Sequence, residues 1–261
     1  MTKNTNHRKY GLLWKNIGYS FSKKYFTDKF NKEKRFNCKY ENYDIKSINE
    51  FNKIISNFPR PSGLNVTIPY KKSIIKFLDD LSEEAAEIRA VNTIVFDSSG
   101  KIIGHNTDHI GFKKALFEKI HSKPKRALIL GSGGASGAIA YVMNEIKCEF
   151  RIVSRKPKTN QLNYKSLSKE LINEIDLIVN TTPVGTYPKI NESPPFPYDF
   201  LNSRHFLFDL IYNPEETQFL KEGKLRNAQT CNGHSMLVYQ AEESWSLWNK
   251  DLNFKVSWHR N

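Results

Sequence analysis

The chain of 261 residues, 39% hydrophobic and 13% aromatic, is long enough to bury a substantial core and has the length of two ordinary domains. Its apolar runs fall short of the ~20 residues that cross a bilayer, and the polar, basic opening MTKNTNHRKY lacks the apolar segment of a secretory signal, so a soluble, cytoplasmic protein is expected. The formal charge of +13 is spread along the chain without an aromatic-interleaved Arg cluster or a helix-turn-helix pattern, which argues for a solvated basic surface that steers small anions and against a nucleic-acid or membrane partner.

KYGLLW is a short β-like run, and GYSFSKKYFTDKFN places Tyr25, Phe26 and Phe30 at helical spacing after a Ser-containing turn, the order strand, turn, helix. In SINEFNKIISNF the apolar positions Ile48, Phe51, Ile54, Ile55 and Phe58 recur at three-and-four spacing until Pro59 and Pro61 stop a second helix. GLNVTIPY alternates with period two, which puts Asn65 and Thr67 on one strand face and Val66 and Ile68 on the other. KKSIIKFLDDLS, beyond Pro69, has the spacing of another helix. RAVNTIVFD and KIIGHNTD form a hairpin-like pair about the turn residues SSG. HIGFKKALFEKI then reads as an amphipathic helix on Ile110, Ala115, Leu116 and Ile120.

Beyond the polar stretch HSKPKR, the apolar runs RALIL, EFRIVS, IDLIVN and HFLFDL are strands, with the helix ASGAIAYVMNEI between the first two. That alternation predicts a parallel, doubly wound sheet. PKINESPPFPYDF is a loop between two of its units, and SMLVYQAEESWSLW sets Leu237, Ala241, Trp245 and Trp248 on one stripe of a final helix.

Three features carry chemistry. Gly131-Ser132-Gly133-Gly134-Ala135-Ser136 follows a strand and opens an Ala-rich helix, the setting in which glycines let a pyrophosphate approach a helix N-terminus; a turn that only packs helix on sheet is the alternative. About 20 residues on, where NAD-binding folds hold a carboxylate for the ribose 2′-hydroxyl, stand Ser154-Arg155-Lys156, which suit a 2′-phosphate and hence NADP, or are simply exposed basic residues. In the first half, Asn65, Thr67 and Lys71 lie within seven residues, and Asn92 and Asp108 come from the hairpin that follows. Lysines at such places are usually only solvated. The spacing of Cys38, Cys148 and Cys231 fits no zinc or redox motif, so structural thiols and no metal are expected.

Taken together these motifs resemble the shikimate dehydrogenase family. GYSFS is similar to its S-x-S turn, NVTIPYK to N-V-T-x-P-x-K, AVNT to A-x-N-T and GHNTDHIGF to G-x-N-T-D-x-x-G; GSGGASGA, NTTPVG, DLIYNPEETQFL and NGHSMLVYQAEESW follow in the family's order. The resemblance implies NADP-dependent reduction of 3-dehydroshikimate to shikimate in aromatic amino-acid biosynthesis. It implies that Ser20 and Ser22 bind the substrate carboxylate, that Asn65, Thr67, Asn92 and Gln240 bind its hydroxyls with Tyr212 nearby, and that Lys71 and Asp108 form the catalytic pair. Gly131, Gly133, Gly134, Ala135 and Ser136 would meet the pyrophosphate, Ser154, Arg155 and Lys156 the adenosine phosphate, with Thr182 and Gly233 also at the cofactor.

The implied fold joins an α/β substrate-binding domain, 1–108 plus 235–261, to a Rossmann-like NADP-binding domain, 109–234, with the C-terminal helix returning to the first. A monomer or homodimer is expected. The alternatives are a quinate/shikimate dehydrogenase using NAD and a non-catalytic ligand-binding relative. Trp14, Tyr19, Lys23, Ser154 and Thr186 depart from the family pattern.

Overall fold

The computed structural model describes residues 7–16, 20–57 and 59–256, with 251–256 as backbone alone. Tyr19 of the serine turn and Phe58 of the second helical pattern lie outside the described residues. The chain divides into two compact units, Met1–Thr107 with Ala241–Asn261, and Asp108–Gln240.

In the first unit, β1 (Arg8–Trp14) leads to α1 (Phe21–Lys32). Ser20 caps α1 by accepting from the Lys23 amide, and Lys29 and Lys32 face the negative end of its dipole. β2 (Cys38–Asp44) follows, then a single 3-10 turn and α2 (Phe51–Ser56), and then β3 (Gly63–Val66). β4 (Asp80–Leu81), α3 (Glu83–Ile88), β5 (Thr93–Phe96) and β6 (Ile102–His105) complete this stretch. The six strands are ordered β2-β1-β3-β5-β6-β4. β1 runs parallel to β2 and β3, while β5 is antiparallel to β3 and β6.

Two expectations for this unit require correction. The helix read in KKSIIKFLDDLS is a 3-10 segment, Ser73–Phe77, followed by the strand β4. The Asp79 carboxylate accepts from the Ile102 amide at 2.7 Å, and Asp80 and Leu81 pair with β6; sheet pairing draws the chain out of the helical course that Ile74, Ile75 and Leu78 suggest. Likewise β3 ends at Val66, so Ile68 does not share a buried face with it and is 63% exposed.

The second unit begins with α4 (Asp108–Phe117) and β7 (Arg126–Leu130), and continues through α5 (Gly134–Glu145), β8 (Glu149–Val153), α6 (Lys169–Asn173) and β9 (Leu177–Asn180). β10 (Phe206–Asp209), α7 (Gln218–Leu225) and β11 (Gln229–Cys231) follow. The strands are all parallel in the order β11-β10-β9-β7-β8, the doubly wound sheet that the strand and helix alternation predicts. Ala127 and Ile129 of β7 pack in one core and Leu128 and Leu130 in another, because successive side chains point to opposite faces and helices cover both. Strand order reverses between β7 and β9, and ligands of open α/β sheets bind outside the carboxyl ends of strands at such a switch point.

The last helix, α8 (His234–Val256), belongs to both units. Its later turns complete the first unit: Trp245 and Trp248 join Tyr10, Phe26, Phe30 and Tyr40 in an aromatic core. The Trp248 indole lies against Gly63, where a Cβ would come within 2.3 Å of it, and Nε1 donates to the Ile94 carbonyl at 2.9 Å. Lys29 of α1 ties to Glu242 of α8 at 2.8 Å. The expected return of the C-terminal helix to the first unit is present.

Candidate active site

Polar side chains buried between strands must find partners, and in the first unit they find one another. Asn65, at 5% exposure, sits in β3, Asn92 and Thr93 lie at the start of β5, and Ser244 comes from α8. Tyr40 Oη donates to Asn65 Oδ1 at 2.7 Å. Asn65 Nδ2 reaches Asn92 O at 3.2 Å, Thr93 Oγ1 at 3.2 Å and Ser244 Oγ at 3.0 Å. Asn92 Oδ1 accepts from the Thr107 amide at 2.7 Å, and its Nδ2 donates to Thr107 Oγ1 at 3.0 Å. Ser22 hydrogen-bonds Tyr40, and burial pushes the Tyr40 phenol well above its usual range.

Of the predicted substrate residues, the structure therefore links Ser22, Asn65 and Asn92 in one network. Ser20 stands beside it in sequence as the cap of α1, its Oγ accepting from Lys23 N at 3.2 Å. Thr67 is half-buried, and its amide donates to Leu13 O at 3.1 Å. Lys71 lies in the turn after β3, half-buried, and its carbonyl accepts from Val91 N at 2.8 Å. The backbones of Lys71 and Thr107 are thus fixed to the adjacent residues Val91 and Asn92. Asp108, buried at 6% exposure, follows Thr107 as the first residue of α4.

In the second unit, Gly131 follows β7 with φ of +111°, which disfavours any side chain. A Cβ there would meet Thr181 Oγ1 at 2.7 Å. Gly133 caps α5 without a side-chain hydrogen bond, leaving the first amides of the helix for an anion. Gly134 and Ala135 form its first turn, and Ser136 is buried with Oγ on Gly133 O at 2.7 Å. Ser154, after β8, is buried and shares a 3.3 Å hydroxyl contact with Ser132, while Arg155 and Lys156 beside it are exposed. These groups suit the cofactor whose motif they resemble: uncapped amides for pyrophosphate and two exposed cations for a 2′-phosphate.

Thr182 is held from below. Its amide and Oγ1 both donate to Asn180 Oδ1, at 3.0 and 2.7 Å, and Asn180 Nδ2 donates to Asp209 Oδ1 at 3.0 Å. Asp209 also accepts from Ile211 N at 3.0 Å and Thr217 Oγ1 at 2.6 Å. Burial outweighs these bonds and raises its pKa to about 7. Gly233 precedes α8, its amide on Ile211 O at 3.0 Å; Tyr212 is half-buried, as is Gln240, whose Nε2 donates to Leu237 O at 2.9 Å.

Sequence reasoning missed Tyr40, Thr93, Ser244, Asn180 and Asp209. Ser244 lies one helical turn beyond Gln240, a spacing that shares a face, and Asn180 and Asp209 both end strands of the parallel sheet, where such a search would look first. Among the described residues no group of three or more His, Cys, Asp or Glu is placed to hold a metal, and no helix is long and apolar enough to cross a membrane. Cys148 and Cys231 are buried and Cys38 half-buried, all three as free thiols.

A sequence profile described as the shikimate dehydrogenase substrate binding domain matches residues 12–94. A shikimate dehydrogenase (NADP(+)) from Methanococcus maripaludis is 39% identical over 264 residues, covering 94% of this chain and 93% of the relative. A crystal structure of a shikimate dehydrogenase in complex with NADP+ is 34% identical with a TM-score of 0.82, over 95% of this chain and 91% of that one. The enzyme from Thermus thermophilus, solved with NADP(H) and shikimate, is 28% identical with a TM-score of 0.82, over 93% and 94% of the two chains. With a two-unit α/β fold, a doubly wound parallel sheet and identity extending over nearly its whole length, the chain belongs to the shikimate dehydrogenase family.

Proposed function

We propose that this chain is an NADP-dependent oxidoreductase that interconverts 3-dehydroshikimate and shikimate in aromatic amino-acid biosynthesis. Membership of a family whose compared members carry that name supports the activity. The observation that carries the reading to this chain's own residues is the buried network of Asn65, Asn92 and Thr107, with Lys71 and Asp108 adjoining it in sequence and backbone bonding. Carboxamides and hydroxyls held in fixed orientation by one another suit a ring bearing several hydroxyls, because their dipoles are already aimed when such a ligand arrives.

On this reading Met1–Thr107 with Ala241–Asn261 binds the substrate and Asp108–Gln240 binds the cofactor. Ser20 and Ser22 receive the substrate carboxylate, and Asn65, Thr67, Asn92 and Gln240 its hydroxyls, with Tyr212 alongside. Gly131, Gly133, Gly134, Ala135 and Ser136 present amides and a small-residue turn to the pyrophosphate, Thr182 and Gly233 line the same end of the sheet, and Ser154, Arg155 and Lys156 take the adenosine phosphate. The bound cofactor supplies a hydride to the ketone carbon. Lys71 donates a proton to the carbonyl oxygen as negative charge grows there, and Asp108 steadies the lysine ammonium. In the oxidative direction Lys71, as the neutral amine, takes the hydroxyl proton.

The test is absorbance of NADPH during incubation with shikimate and NADP, with quinate and NAD as parallel arms. Turnover confined to quinate or to NAD overturns the substrate or cofactor assignment, and none with any pair overturns catalysis. The protein acts in the cytoplasm as a monomer or homodimer, which sedimentation resolves.

A further inference from the structure

The direction of every hydrogen bond around Asn65 follows from one fixed group. The Asn92 carbonyl can only accept, so the atom of Asn65 that faces it is Nδ2 and the opposite atom is Oδ1. Oδ1 faces Tyr40, whose phenol must therefore donate, and the lone pairs left on Tyr40 Oη take the Ser22 hydroxyl. On the other side, the two Nδ2 hydrogens have three acceptors within 3.2 Å, the Asn92 carbonyl, Thr93 Oγ1 and Ser244 Oγ. Ser244 is fully buried and also lies 2.8 Å from Thr93 Oγ1 and 3.3 Å from Thr107 Oγ1, so its hydroxyl is held among Asn65, Thr93 and Thr107. The Tyr40 ring is stacked on Phe26 with centroids 4.6 Å apart, so the phenol is held in place by packing as well.

We propose that Tyr40 and Ser244 are positioning residues that lock the Asn65 carboxamide from its two ends, so that Asn65 meets a substrate hydroxyl only as an acceptor, through the remaining lone pair of Oδ1. The lock selects a ligand that offers a hydroxyl proton at that point and rejects one that offers only an acceptor. It rests on the reading of Asn65 as a substrate-binding residue.

The experiment compares Tyr40→Phe, Ser244→Ala and Asn65→Ala by steady-state kinetics with shikimate and NADP. Loss of either lock should raise KM for shikimate roughly 5- to 30-fold, the equivalent of one or two hydrogen bonds, with kcat changed by less than about threefold and KM for NADP by less than about twofold. Added to Asn65→Ala, each should change KM for shikimate by less than about twofold, because the group it positions is gone. Unchanged KM in the single variants, or an undiminished effect in the Asn65→Ala background, overturns the lock. Ser244→Ala removes a single hydroxyl and decides the matter alone if Tyr40→Phe does not fold. The side-chain amide resonances of Asn65, assigned by their loss in Asn65→Ala, give a readout independent of turnover: hydrogen exchange should quicken in Ser244→Ala, and unchanged exchange overturns the lock. A wild-type protein inactive on shikimate with this protection intact instead overturns the functional reading.

Discussion

Asn180 donates its side-chain amide to Asp209 across 3.0 Å between the ends of the neighbouring strands β9 and β10, and both residues are fully buried. The Asp209 pKa is raised from 3.8 to about 7, chiefly by burial, against the opposing bonds from Thr217, Ile211 and Asn180. A raised folded-state value means that the native state holds the proton more tightly than the unfolded chain. The stability it contributes is full below about pH 4 and is lost as pH rises to about 7. Asp209→Asn keeps the shape and an acceptor for Asn180 without a charge, so relative to wild type it should gain on the order of 4 kcal/mol between pH 4 and pH 8. Urea denaturation at the two values measures the difference; a relative loss at the higher pH would refute the assignment.

Gly131→Ala tests the turn itself. At φ of +111° an added Cβ is strained and presses on Thr181 Oγ1 at 2.7 Å. The variant should lose about 1–3 kcal/mol of stability and bind NADPH roughly tenfold or more weakly by fluorescence titration, while shikimate binding holds. Equal weakening toward both ligands would make the turn a purely structural element.

Arg155 and Lys156 are exposed beside a buried Ser154, the arrangement that a 2′-phosphate needs and a 2′-hydroxyl does not. Wild type should prefer NADP in kcat/KM, and Ser154→Asp with Arg155→Ala should move the preference toward NAD. Finding wild type better with NAD would end this account of selectivity.

The two serines differ in proton supply. Ser20 spends a lone pair on the Lys23 amide and keeps its proton, whereas Ser22 bonds Tyr40, whose own proton is committed to Asn65. A carboxylate needs donors, so Ser20→Ala should raise KM for shikimate more than Ser22→Ala, with NADP affinity nearly unchanged in each. The reverse order would show that Ser22 turns its proton to the ligand at little cost.

Lys71→Met should lower kcat by roughly 10²–10⁴-fold, the range for a lost general acid or base, with a much smaller change in KM. Asp108→Asn should also slow turnover, and the double variant should be little worse than Lys71→Met if the two act as one unit. Near-normal kcat in Lys71→Met would remove the lysine from the mechanism.

The sheet of the second unit was legible because buried parallel strands such as RALIL and IDLIVN are continuous apolar runs. β2 was not: as an edge strand it carries Lys39, Glu41 and Asp44, with Tyr40 its one buried residue, so its alternation is faint. β11 has three residues and α6 five, too few for a period to show. At the candidate site, groups that share a segment, such as Asn65, Thr67 and Lys71, announce themselves by spacing. Tyr40, Thr93 and Ser244 become neighbours only when β2, β5 and α8 fold together, and a tyrosine in a strand or a serine in a helix carries no local mark of what it will face.

The first unit is discontinuous in sequence, and this orders its maturation on the ribosome. Trp248, which covers Gly63 and caps the Ile94 carbonyl, is made 154 residues after Ile94. Until α8 clears the exit tunnel, the aromatic core around Tyr10, Phe26 and Tyr40 stands open and Asn65 lacks Ser244. The second unit, Asp108–Gln240, is one uninterrupted stretch and has all five of its strands before then. The first unit therefore cannot seal its aromatic core or complete the Asn65 network until residues made after every strand of the second unit are available.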